Sequence, residues 1–173
     1  ASSVQDHIEL AISSIGALED RINYAGRTDS GVHATRQIFD FSTKDQRETT
    51  QWLKGINSQL PNDISVSYIQ KAPDEFHSRF DAINRSYTYI IYNGKTQPIF
   101  LRDYIYWEKH EIDIEIMRAE AAHLIGTHNF NSLRGSKCTA KNPDRTLHNI
   151  DIEQRKNFII ISLCANAYLY NMV

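Results

Sequence analysis

An acid in a glycine-bounded run is the first place where this sequence could do chemistry. Residues 24–34 read YAGRTDSGVHA, in which Gly26 and Gly31 bracket Asp29 and Arg27 stands two residues before it. Asp, Ser and Gly all favour turns, since Asp bonds nearby backbone and Gly tolerates positive φ, so an ordinary surface turn is one reading. The other is functional. A neighbouring cation favours the ionised form of a carboxylate, and an ionised, loop-borne carboxylate suits nucleophilic or electrostatic work. The Asp-Ser-Gly trio also invites comparison with aspartic proteases, where two such acids share a proton. Here there is one copy, polar Arg27 and Thr28 precede it, and the flanking sequence is helical in pattern. An acid hydrolase is therefore the weakest reading.

Other chemistry has less support. The histidines at 7, 33, 77, 110, 123, 128 and 148 are scattered without an HExxH or other metal-ligand spacing, so no metal is expected. Neither glycine-rich phosphate-binding fingerprint occurs, so no nucleotide cofactor is expected. His33 lies inside the quoted run, where a structural hydrogen bond is its first reading. Tyr87 lies in a strand-like run, where core packing is the first reading.

The whole-chain totals bound these ideas. With 173 residues, 41% hydrophobic and 23% charged, the chain suits one globular domain or two small halves. Apolar runs such as FIIISL are too short to cross a bilayer, and the first residues lack the basic head and apolar run of a signal peptide. A cytoplasmic protein is expected. Two cysteines, Cys138 and Cys164, form no CxxC pair, so two reduced thiols are expected. A net charge of −2 speaks against a nucleic-acid partner. Its distribution speaks otherwise. Residues 133–145, LRGSKCTAKNPDR, hold Arg134, Lys137, Lys141 and Arg145 against Asp144 alone, while the first twenty residues carry four acids and no Lys or Arg.

The run SVQDHIELAISSIG predicts an amphipathic helix. Ser3 and Asp6 have capping-box spacing, Val4, Ile8, Ala11, Ile12 and Ile15 share a face, and Gly16 ends it. RINY and RQIFDF predict short strands into and out of the acid-bearing turn. DQRETTQWLKGINSQLP predicts a second helix, opened by Asp45 and Glu48 and stopped by Pro61. ISVSYIQ alternates with a period of two and predicts a half-buried strand. RSYTYIIYN predicts a strong strand with Tyr87, Tyr89 and Ile91 on one side, and DYIYWE a shorter one. DIEIMRAEAAHLIG predicts a helix capped by Asp113. LHNIDIEQ and NFIIISLCA predict a hairpin whose second strand is apolar enough to be central. Residues 131–145 predict a long polar connection, the kind of loop that carries function. The order implies an α+β fold with a largely antiparallel sheet.

Taken together, these pieces resemble the tRNA pseudouridine synthase A family. AGRTDSGVHA resembles its signature, usually written with alanine where Ser30 stands. FHSRFDAINRSYTYIIYN, LIGTHNFNSLR and CANAYLYNMV resemble its later blocks in the same order, and SVQDHIELAI fits its first helix, so the likeness covers essentially the whole chain. The resemblance implies an α+β pseudouridine synthase fold, mostly antiparallel with flanking helices and two similar halves. Here these are drawn as 1–72, carrying the catalytic loop, and 73–173. It implies tRNA as partner, a homodimer, and no cofactor or metal. Asp29 falls on the family's catalytic aspartate, Tyr87 on its active-site tyrosine, and Arg27 on an arginine that helps admit RNA. His33, Arg79, Arg85, Arg134, Lys137, Lys141 and Arg145 complete the RNA-facing set. A non-catalytic RNA-binding relative is the alternative. The family also has a strand and a Tyr-Asp-Gly stretch ahead of the first helix, and beyond the block ending at Val173 an arginine that pairs with the catalytic aspartate. A chain cut at both ends is expected, and expected to be inactive alone.

Overall fold

The computed structural model describes residues 3–173. Its chain divides into two compact units, one formed by residues 1–27 and 34–81 and the other by 28–33 and 82–173. No helix among the described residues is long and apolar enough to cross a membrane.

The first unit is built on two helices. α1, Val4–Ile15, opens with the expected capping box. The Ser3 N–H donates to the Asp6 carboxylate at 2.8 Å, and the Asp6 N–H donates to the Ser3 hydroxyl at 3.2 Å. Ile8, Ala11 and Ile12 turn inward, whereas Val4 is exposed. α2, Thr49–Gln59, begins after Glu48, whose N–H donates to the Gln51 side chain at 3.2 Å. Asp45 does not open this helix; its carboxylate accepts the Ala17 N–H at 2.7 Å and so ties down the exit of α1. Gly16 permits that closeness, since a Cβ there would sit 2.5 Å from both the Asp45 carboxylate and the Trp52 ring. Trp52, Ile56, Ile22 and Val66 complete the core with the inward face of α1. Fully buried Ile12 and Ile56 each contribute ~1.5–3 kcal/mol by leaving water.

A two-residue antiparallel ribbon, β1 (Asn23–Tyr24) with β2 (Phe39–Asp40), joins the ends of the acid-bearing segment. RQIFDF is strand only at these two residues; beyond them the Ala25 N–H donates to the Ile38 carbonyl at 2.9 Å and the Gln37 side-chain amide to the Gly26 carbonyl at 2.8 Å. The expected strand at ISVSYIQ is absent. Backbone N–H and C=O groups need partners, and here the Asn57 amide supplies them, accepting from the Val66 N–H and donating to the Val66 carbonyl, both at 2.8 Å. Val66 is buried as the alternation required, but Tyr68 is 70% exposed.

The second unit is a five-stranded sheet in the order β4-β3-β7-β6-β5, with one helix against it. β3 spans Arg85–Asn93, β4 Tyr106–Glu108, β5 Gly126–Asn129, β6 Asp144–Arg155 and β7 Phe158–Ala165. The expected hairpin forms as β6 and β7, and β7 lies centrally between β3 and β6. β3 pairs with β4 in parallel, the exception in an otherwise antiparallel sheet. β5 was not expected; its run GTHN has no apolar alternation to announce it. α3, Ile114–Ala122, is capped by Asp113. Ile114 and Ala121 pack with Ile91, Ile152 and Ile159 into one core. A separate cluster, Phe130, Leu147, Ala165 and Leu169, fills the other end of the sheet.

Candidate active site

The Asp29 turn is local chemistry made visible. The Val32 N–H donates to the Asp29 carbonyl at 3.1 Å, and Gly31 adopts φ +85°. A tight turn with positive φ at its third residue selects glycine there. A Cβ at Gly31 would meet nothing within 4 Å, so the backbone angle, not space, makes the requirement. Asp29 itself is exposed, and neither it nor Arg27 enters an ion pair among the described residues. The turn belongs with the sheet unit, the unit that also carries Tyr87. His33 makes no side-chain hydrogen bond among the described residues, against the first expectation for it. Its ring instead lies 4.3 Å from that of Tyr104, tilted by 30°.

Tyr87 stands half-buried on β3 opposite Leu163 of β7. Tyr168 lies beneath it, edge-on at 5.0 Å with an 88° angle between the rings. That geometry places the positive ring edge of one against the negative face of the other. Burial, reinforced by Cys164 and Tyr87, pushes the Tyr168 phenol far above its ordinary pKa. Its hydroxyl is buried without a partner among the described residues. Burial thus keeps this phenol neutral against the Tyr87 ring. Arg85, two residues before Tyr87 on β3, donates to the Asn166 carbonyl at 2.8 Å. The Asn166 side chain accepts from the Thr146 and Ala167 N–H groups at 3.0 and 2.7 Å. The ends of β3, β6 and β7 are thus laced together just beside Tyr87.

The basic loop residues divide by what their nitrogens already hold. Arg134 donates to the Cys138 carbonyl at 2.9 Å. Arg145 donates to the carbonyls of Asn142 and Asp144 at 2.9 and 2.6 Å. Both guanidinium groups brace the 131–145 connection. Lys137 and Lys141 are exposed and outside every ion pair among the described residues, which leaves their charge available to an anion. N–H groups of Tyr170 and Ala140, together with Arg134, hold the Cys138 thiol below its usual range against a smaller opposing effect of burial. Arg27 and Arg79 lie in the helical unit, where Arg79 sits over the Phe80 ring at 5.6 Å.

Sequence reasoning missed Tyr104 and Tyr168. Tyr168 lies in the quoted block CANAYLYNMV, where its apolar neighbours were the available signal; Tyr104 lies in DYIYWE, expected as a strand but strand only at Tyr106–Glu108, because the Tyr104 N–H closes a turn on the Leu101 carbonyl.

The sheet unit thus carries the acid on its glycine turn and Tyr87 on β3, with Tyr168 just beyond the end of β7. A family model described as tRNA pseudouridine synthase matches residues 1–81 and 121–173, and the chain belongs to that family. A tRNA pseudouridine synthase A of Bordetella petrii is 39% identical over 173 residues, covering 99% of this chain and 65% of its own length. Proteins of the same name are 39% identical in Hydrogenovibrio crunogenus, with 65% of the relative covered, and 41% identical in Polaromonas naphthalenivorans, with 66% covered. The chain thus spans about two thirds of the length of these relatives.

Proposed function

We propose that this chain belongs to an isomerase that converts uridine to pseudouridine in the anticodon stem-loop of tRNA, with Asp29 acting on the flipped-out nucleotide as nucleophile or base. In that reaction the C1′–N1 bond breaks, the uracil turns, and C5 bonds to C1′; N1 gains a proton and C5 gives one up. The departing uracil is anionic and the sugar centre electron-poor, so a carboxylate is the useful group. The observation that carries this reading is the placement of Asp29 on an exposed glycine turn belonging to the same unit as Tyr87.

A uridine inside a stem must first leave its stack, at a cost of a few kcal/mol. A half-buried ring such as Tyr87, steadied from below by Tyr168, recovers part of this by stacking, worth ~1–3 kcal/mol per base in single-strand binders. Lys137 and Lys141 are the phosphate contacts of this reading, with Arg27, Arg79, Arg85, Arg134, Arg145 and His33 along the RNA path. The working protein is a cytoplasmic homodimer, and sedimentation of the complete protein as a monomer would count against the dimer.

The test is Asp29→Ala in the complete protein. Pseudouridine, mapped on tRNA by carbodiimide and primer extension, is expected to vanish while tRNA affinity stays within about threefold, the carboxylate acting on the transition state rather than in binding. Turnover retained by the variant refutes the assignment of Asp29. Binding without any new modified site in the unaltered protein favours a non-catalytic RNA-binding relative instead.

A further inference from the structure

The acid-bearing turn has little of its own to hold it in place. Among the described residues, no side chain from Thr28 to His33 makes a hydrogen bond or ion pair, and the space around Gly31 is open. The His33–Tyr104 ring pair is the turn's one aromatic contact among those residues. Tyr104 is 61% exposed and His33 is exposed too, so the pair adds little to any core. It holds a position.

The segment that presents Tyr104 is shaped for this. The Tyr104 N–H closes a turn on the Leu101 carbonyl at 2.8 Å. Leu101 takes φ +65°, a left-handed conformation that a residue with a Cβ adopts only when its surroundings enforce it. Arg102 and Asp103, between them, pair at 3.5 Å. The ring thus projects from a closed turn rather than from a slack loop.

We propose that Tyr104 is the positioning residue of the catalytic turn. Its ring holds His33, and the Val32-to-Asp29 backbone bond transmits that hold to the carboxylate four residues earlier. The proposal rests on the assignment of Asp29 above. Displacing a reacting group by about 1 Å can cost on the order of a hundredfold in rate, so a contact that is cheap for folding can be expensive for turnover.

The experiment compares Tyr104→Ala and Tyr104→Phe with the unaltered complete protein, by tRNA kinetics and by hydrogen exchange of residues 29–33. Tyr104→Ala is expected to lower kcat about tenfold or more while KM for tRNA changes less than about twofold, with faster exchange in the turn and an unchanged melting temperature. Tyr104→Phe keeps the ring and is expected to restore both kcat and protection. Tyr104→Leu, which keeps bulk without a ring, replaces the alanine variant should that one lose its fold. Unchanged kcat in the ringless variants, a defect in KM alone, or a phenylalanine variant as impaired as alanine overturns the proposal. An unaltered protein that forms no pseudouridine defeats the functional reading instead, and the exchange comparison then decides on its own whether Tyr104 holds the turn.

Discussion

Replacing Asp40 by alanine removes the acceptor on which one corner of the helical unit depends. One carboxylate oxygen accepts the Ser78 N–H at 2.7 Å, and the other accepts the Asn23 amide at 2.9 Å. Asp40 thereby joins the β1–β2 ribbon to the segment FHSRF. Ser78 is only 3% exposed, so its N–H would be left unpaired away from water, a loss of ~1–3 kcal/mol. The Asn23 amide is closer to solvent and adds less, giving about 2 kcal/mol in all. In a unit of this size that lowers the melting temperature by roughly 8–16 °C.

The effect carries a pH signature. Partial burial raises the Asp40 pKa, but hydrogen bonds from Asn23 and Ser78 outweigh it and hold the group below the usual carboxylate range. A depressed folded-state pKa contributes stability that is complete above the unfolded value of about 3.9 and is lost as pH falls through the folded value. The gap between the unaltered protein and Asp40→Ala should therefore be full at neutral pH and narrow in acid. Thermal melts followed by Trp52 fluorescence in a Trp107→Phe background report the helical unit, since Trp52 lies in its core. Equal melting temperatures at neutral pH, or a gap that widens in acid, would refute the reasoning.

Two further outcomes test the site and the fold. Tyr87→Leu should reduce pseudouridine formation by about 10–100-fold, the equivalent of ~1–3 kcal/mol of stacking, whereas Tyr87→Phe keeps the ring and should lose less; undiminished turnover in the leucine variant would remove the ring from the mechanism. Asp113→Ala should destabilise the sheet unit by about 1 kcal/mol, because its carboxylate accepts the Glu115 and Ile116 N–H groups at 2.9 and 3.0 Å. Urea midpoints should show this, with Asp113→Asn close to the unaltered protein.

Local chemistry made much of the architecture readable before any coordinates. The Ser3–Asp6 box, the Asp113 cap and the apolar spacing in α1 and α2 act within a few residues of themselves, so they read directly as helices. Arg85–Asn93 and Phe158–Ala165 alternate or run apolar because the sheet buries them, and both are strands. The Asp29 turn, too, is written in the order Asp-Ser-Gly, since Gly31 is the residue that accepts its backbone angle.

Contacts between distant parts of the chain were not readable in this way. ISVSYIQ has the alternation of a strand, but whether it becomes one depends on a partner, and Asn57 takes that place. Asp45 has the look of a helix opener, yet its carboxylate is taken by Ala17 across 28 residues. Arg134 and Arg145 read as free cations until carbonyls around them are seen to take up their donors. The sequence by itself determined the helices, the principal strands, the acid on its turn and the family. The tertiary structure alone decided that Tyr168 lies under Tyr87 and that Tyr104 meets His33, because such pairings arise from chain-distant packing that no local period encodes.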